Sequence, residues 1–164
     1  MSCKSNETCV KELEKNDYLI IQKCINKVLE TKEGISIDSY LVKPYLDQVS
    51  FKPYSKEEIE KTFKRLEMSF DEVVSMNEES ANCKERYYKD LSSLSSTNSD
   101  AVVFSTTRLY GDLIQIKLTS YYGEVDEDKI KNEEKLDINQ MYEYLFKVED
   151  ENVKILLQSS TFYD

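Results

Sequence analysis

The feature that most limits what this chain can fold into is a change of period at the serine-rich stretch "SSLSSTNSD", residues 92–100. Before it, apolar residues recur every three to four positions; after it, they recur every second position. The first spacing lays apolar side chains along one stripe of a helix, and the second lays them on one face of a strand. Helices followed by strands predict an α+β fold, with N-terminal helices packed on a C-terminal four-stranded antiparallel meander. A chain of 164 residues supports one sizeable core but not two comfortable ones. The expectation is therefore a single domain over 1–164: a helical part at about 8–92, a polar linker at 92–100 and an antiparallel sheet at about 101–163.

The helical part carries several start and stop signals. From Val10 to Glu30 the stripe is Leu13, Ile20, Ile21, Cys24, Ile25 and Val28, strongest between Asp17 and Thr31, with Gly34 as terminator. In "IDSYLVKPYLDQVSFKP", Asp38 reads as a cap, and Pro44 either starts a second turn or kinks the first. "SKEE" at 55–58 is a capping box that opens a helix with Ile59, Phe63, Leu66 and Phe70 on one face. "SFDE" at 69–72 is a second box, ahead of Val73, Met76, Ser80, Cys83, Tyr87 and Leu91. Two antiparallel helices joined by a tight turn are expected there.

Beyond the linker, 101–109 reads as a β-branched strand and "YGD" as a turn. "LIQIKLTSYY", 113–122, places Ile114, Ile116, Leu118, Ser120 and Tyr122 on one face, and Gly123 is read as its end. "MYEYLFKV" places Tyr142, Tyr144, Phe146 and Val148 together. After the turn "EDEN", simple alternation puts Val153, Ile155, Leu157 and Ser159 on one face, with Lys154, Leu156, Gln158 and Phe162 on the other. This order of elements, and the closing pattern "YLFKVEDENVKILL", is similar to small α+β cone folds of the nuclear-transport-factor-2-like or cystatin-like type. The resemblance implies a curved sheet wrapped around a helix, with a pocket that many members use for small ligands and others fill with side chains. At the start, "SCKSN" resembles the junction of a bacterial lipoprotein of the Bacteroidetes kind. That implies a lipid anchor on Cys3 and a place in the cell envelope, whereas a native start at Met1 implies a cytoplasmic protein.

Composition excludes several kinds of chemistry. The net charge is −10, and neither half of the chain is basic. Nucleic acid is therefore not expected as a partner, since backbone binding draws its free energy from Lys and Arg displacing counterions. With no histidine, Ser-His-Asp and Cys-His catalysis and His-ligated zinc are removed. Cys3, Cys9, Cys24 and Cys83 form no C-x-x-C pair; Cys24 and Cys83 read as core residues, while Cys3 and Cys9 could pair in an oxidising compartment. No stretch reaches the roughly 18 apolar residues of a membrane span. There is no P-loop, G-x-S-x-G or G-x-G-x-x-G, and no cofactor is expected.

The acidic run "GEVDEDKIKNEEKLD" invites a calcium reading, which its spacing defeats. A loop starting at Asp126 has Ile130 where an oxygen ligand is needed, Lys131 where glycine is needed, and Asp137 in place of the long Glu. No metal is expected. The run can instead be a solvated connection, a helix supported by Glu127 and Lys131, or a carboxylate surface made by Glu124, Asp126, Glu127 and Asp128 that meets a basic partner.

The candidate ligand-binding residues are Tyr122, Tyr142, Glu143, Tyr144 and Phe146, because strand tyrosines bury ring area while their hydroxyls stay wet. Glu143 stands out between two tyrosines, where burial would raise its pKa; the alternative is a solvent-facing position opposite Lys117 or Lys154. No catalytic set is assigned. The leading expectation is a non-enzymatic binding or accessory protein using an aromatic sheet face or pocket. An acidic inhibitor or immunity-type protein that blocks a basic partner is second, and an enzyme using a strand carboxylate is third.

Overall fold

The structure is a computed structural model that describes residues 15–31, 37–44, 49–72, 91–97, 99–107, 112–126, 128–129, 137–150 and 152–163. Its order is helix α1 (Lys15–Thr31), strand β1 (Leu41–Pro44), helix α2 (Lys56–Arg65), a 3-10 turn (Ser92–Leu94), then strands β2 (Ser99–Thr106), β3 (Leu113–Asp126), β4 (Ile138–Glu149) and β5 (Asn152–Phe162). The class is α+β. The sheet has five strands, in the order β1-β2-β3-β4-β5. β1 runs parallel to β2, pairing Leu41 with Val103 and Val42 with Phe104. The expected four-stranded antiparallel sheet is thus corrected to a five-stranded mixed one. Pro44, read above as a helix start or kink, ends β1 instead.

α2 follows its local signals closely. Ser55 Oγ accepts from the backbone N–H of Glu58 at 3.1 Å, Glu57 and Glu58 sit in the first turn, and Lys64 and Arg65 sit in the last. Both charge placements suit the helix dipole. Its end is a Schellman arrangement: Met68 N–H donates to the Phe63 carbonyl, Glu67 N–H donates to that of Lys64, and Glu67 takes a positive φ of 55°. In the second box, Ser69 Oγ accepts from Glu72 N–H at 3.4 Å. The helix read from 73 to 91, with Met76 and Cys83, falls almost wholly outside the described residues, as do Cys3 and Cys9.

α1 and α2 cover different faces of the sheet. On the first face, Ile21, Cys24, Ile25 and Val28 of α1 meet Phe104 of β2, Ile114, Ile116 and Leu118 of β3, and Tyr144 and Phe146 of β4. On the second, Phe63 of α2 joins Val49 and Tyr54 over Leu113, Leu145, Leu156 and Leu157. Gln115, itself buried, ties that layer down: its amide donates to the Ser50 carbonyl and Tyr54 hydroxyl, both at 2.9 Å, and accepts from Ser50 N–H at 2.7 Å.

The serine-rich stretch does more than connect. Ser95 Oγ accepts from Val42 N–H at 2.7 Å and Ser96 Oγ from Tyr40 N–H at 2.8 Å, so its hydroxyls occupy backbone groups on the outer edge of β1. Such coverage blunts an edge that would otherwise template further pairing.

Two further details differ from simple alternation. β3 continues through Gly123 to Asp126, held by Asp100 and Ser99 opposite Val125 and Asp126. In β5 a bulge falls opposite the Leu145/Phe146 step, where Ile155 pairs with Phe146 and Leu157 with Leu145. Leu156 and Leu157 then both join the second-face cluster. Every later residue of β5 changes sides, which brings Phe162 to the face of Tyr142.

Candidate functional site

The α1 face is aromatic along its length, but α1 does not cover all of it. Phe146 is 0% exposed and Tyr144 4% exposed. Burial, with Tyr142 adjacent, pushes the Tyr144 phenol up to about 12. Toward the far end of β3 and β5 the rings emerge. Tyr122 and Phe162 are each 63% exposed and Tyr163 is 41% exposed; they are three of the five exposed large apolar side chains among the described residues.

Specific contacts tie this end of the sheet together. The Tyr122 hydroxyl donates to the Tyr163 carbonyl at 3.1 Å, reaching across from β3 to the end of β5. Tyr163 N–H donates to the Asn139 carbonyl at 2.9 Å, and Tyr122 N–H to that of Asp137 at 3.0 Å. Phe162 meets Tyr142 edge to face, with ring centroids 6.1 Å apart at 83°. The Tyr142 hydroxyl donates to Gln140 Oε1 at 2.9 Å. Beside them lies a depression of about 230 Å³ lined by Ile37, Val102, Leu118, Ser120, Asn139, Gln140 and Tyr142. It is an apolar hollow with amide and hydroxyl groups at its lip, the usual make-up of a small recognition site.

The candidate residues thus fall in three places. Tyr122 and Tyr142 belong to the emergent aromatic end. Tyr144 and Phe146 lie in the core beneath α1. Glu143 points to the opposite face, in a polar row across the sheet: Lys43, Ser105, Lys117, Glu143 and Ser159 stand at matched register positions. Burial raises the Glu143 carboxyl and Lys117 opposes that rise; burial, then Lys117, lowers the Lys43 ammonium. Glu143 lines none of the three depressions described along α2 and the sheet.

Of the acidic set, Glu124 and Asp128 are exposed and Asp126 is half-buried, while Glu127 lies outside the described residues. Asp126 Oδ1 accepts from Lys129 N–H at 2.8 Å, and Lys129 Nζ donates to the Glu124 carbonyl at 3.4 Å. Among the described residues no cluster of His, Cys, Asp or Glu could hold a metal ion. Nor is any described helix long and apolar enough to cross a membrane.

Phe162 is a site residue that alternation alone misplaces. The available signal was Ile155-Leu156-Leu157, three consecutive apolar residues in an otherwise alternating strand, which is how a bulge reads in sequence.

A second hollow, about 410 Å³, lies against α2 between Phe51, Tyr54, Ile59 and Phe70. There the rings of Phe51, Phe63 and Phe70 pack on one another at 5.1–5.7 Å. The chain matches no family model, and no curated protein or solved structure is significantly similar to it.

Proposed function

We propose that the protein is a non-enzymatic binding or accessory protein whose recognition surface is the emergent aromatic end of the sheet. The observation that carries this reading is the grouping of exposed aromatic residues at one end of the sheet: Phe162 packs on Tyr142, which lines the hollow, and the exposed Tyr122 reaches the backbone of the exposed Tyr163. Scattered single apolar residues on a surface need no explanation; a contiguous group beside a hollow marks a place where another molecule docks. The hydroxyl of Tyr122 is held by Tyr163, so part of the surface is ordered before anything binds, which lowers the entropic cost of docking.

Panning a random twelve-residue display library against the full chain and against the Tyr122→Ser/Phe162→Ser variant tests this. The reading predicts that peptides enriched on the native protein fail to enrich on the variant, while the variant keeps its unfolding midpoint. Enrichment of the same peptides on both proteins would overturn it.

A further inference from the structure

The carboxylates of β3 lie on the same strand as Tyr122, within a few residues of it. Tyr121 and Val125 pack into a cluster with Leu41 and Val103 on the second face. Tyr122, Gly123 and Glu124 stand exposed in succession and Asp126 is half-buried, in a stretch where β3 carries three more residues than the facing part of β2. Ring faces and carboxylates are thus set side by side. An aromatic face carries the negative lobe of its quadrupole, so both kinds of group attract a cation. A lysine or arginine matches such a surface twice: its methylene stem lies on the rings and its charged head reaches the carboxylates. A nucleic acid would be repelled, and a neutral ligand would leave the carboxylates unused.

We infer that this surface binds a segment of a partner protein carrying a lysine or arginine beside an apolar residue. The cation lies over Tyr122 and Phe162 toward Glu124 and Asp126, and the apolar residue enters the hollow at Tyr142. This rests on the recognition surface proposed above and adds the chemistry of its partner.

The test uses the same twelve-residue library, panned at low salt on the full chain, followed by affinity measurement on the synthetic peptides that emerge. The inference expects lysine or arginine next to an apolar residue in the enriched set. Glu124→Gln/Asp126→Asn should weaken those peptides about tenfold, and so should raising salt from low to high. Peptides that require Tyr122 and Phe162 but show no excess of lysine or arginine would sink the cationic partner and leave the surface standing. Peptides indifferent to both rings would sink the surface as well. A dimer of the free protein that Phe162→Ser dissociates, seen by sedimentation, would overturn the inference in favour of a second copy as the occupant.

Discussion

Two stretches of one aromatic face have different fates. Tyr144 and Phe146 are sealed beneath α1, while Tyr142 is half-buried and Tyr122 and Phe162 stand in solvent. Residue type does not separate them; the length of the covering helix does. The 17 residues of α1 extend about 26 Å at 1.5 Å per residue, whereas the 14 residues of β3 extend about 48 Å. Even perfectly aligned, α1 reaches along only a little over half of the strand's length. Under the helix an aromatic side chain stabilises the fold, and beyond it the same side chain is available to a partner.

The largest expected effect is the contrast between two phenylalanines. Phe146→Ala should lower the unfolding free energy by about 3–5 kcal/mol, the cost of a cavity in a packed core. Phe162→Ala should stay within about 0.5 kcal/mol, as for an exposed position. Urea titration of both variants checks this, and a loss of 2 kcal/mol or more at Phe162, on the order of a core substitution, would make the two regions one core.

Next in size is a substitution on the second face, where polar groups are buried but satisfied. Gln115→Leu leaves Ser50 without its side-chain partners and is expected to cost about 1–3 kcal/mol. A neutral result would mean that the α2 layer is held by its apolar contacts alone.

The smallest effect distinguishes the covered tyrosine by pH. Its folded pKa lies above the unfolded value, so its contribution is fully present below about pH 10 and is lost as pH rises through about 12. The native protein should therefore lose stability across that range, and Tyr144→Phe should lose less. Equal losses in the two proteins, measured by urea midpoint at several alkaline pH values, would mean that Tyr144 is as hydrated as a surface ring.

The parts of the fold governed by local chemistry were legible in the sequence. The Ser55 capping box, the Ile21–Cys24–Ile25–Val28 stripe and the alternation in β3 and β4 each depend on residues within one or two turns of one another. β1 was not legible, because four residues ending in proline become a strand only through parallel pairing with β2, some sixty positions away. Gly123 reads as a stop, yet pairing of the flanking residues with β2 carries the strand past it. Half of the site was visible as strand tyrosines. Phe162 depends on a bulge that moves it to the face of Tyr142. Tyr144 and Phe146 could not be told from Tyr122 and Tyr142 in sequence, since cover by α1 is a matter of tertiary length rather than local pattern.

The central claim, that the uncovered aromatic end is the docking surface, is tested most directly by amide chemical-shift mapping of the full chain with a peptide enriched by panning. The account predicts shifts concentrated at Tyr122–Asp126, Asn139–Tyr142 and Gln158–Tyr163, with those of α2 unmoved. Shifts centred instead on Phe51, Ile59 and Phe70 would place recognition at the other hollow and contradict it.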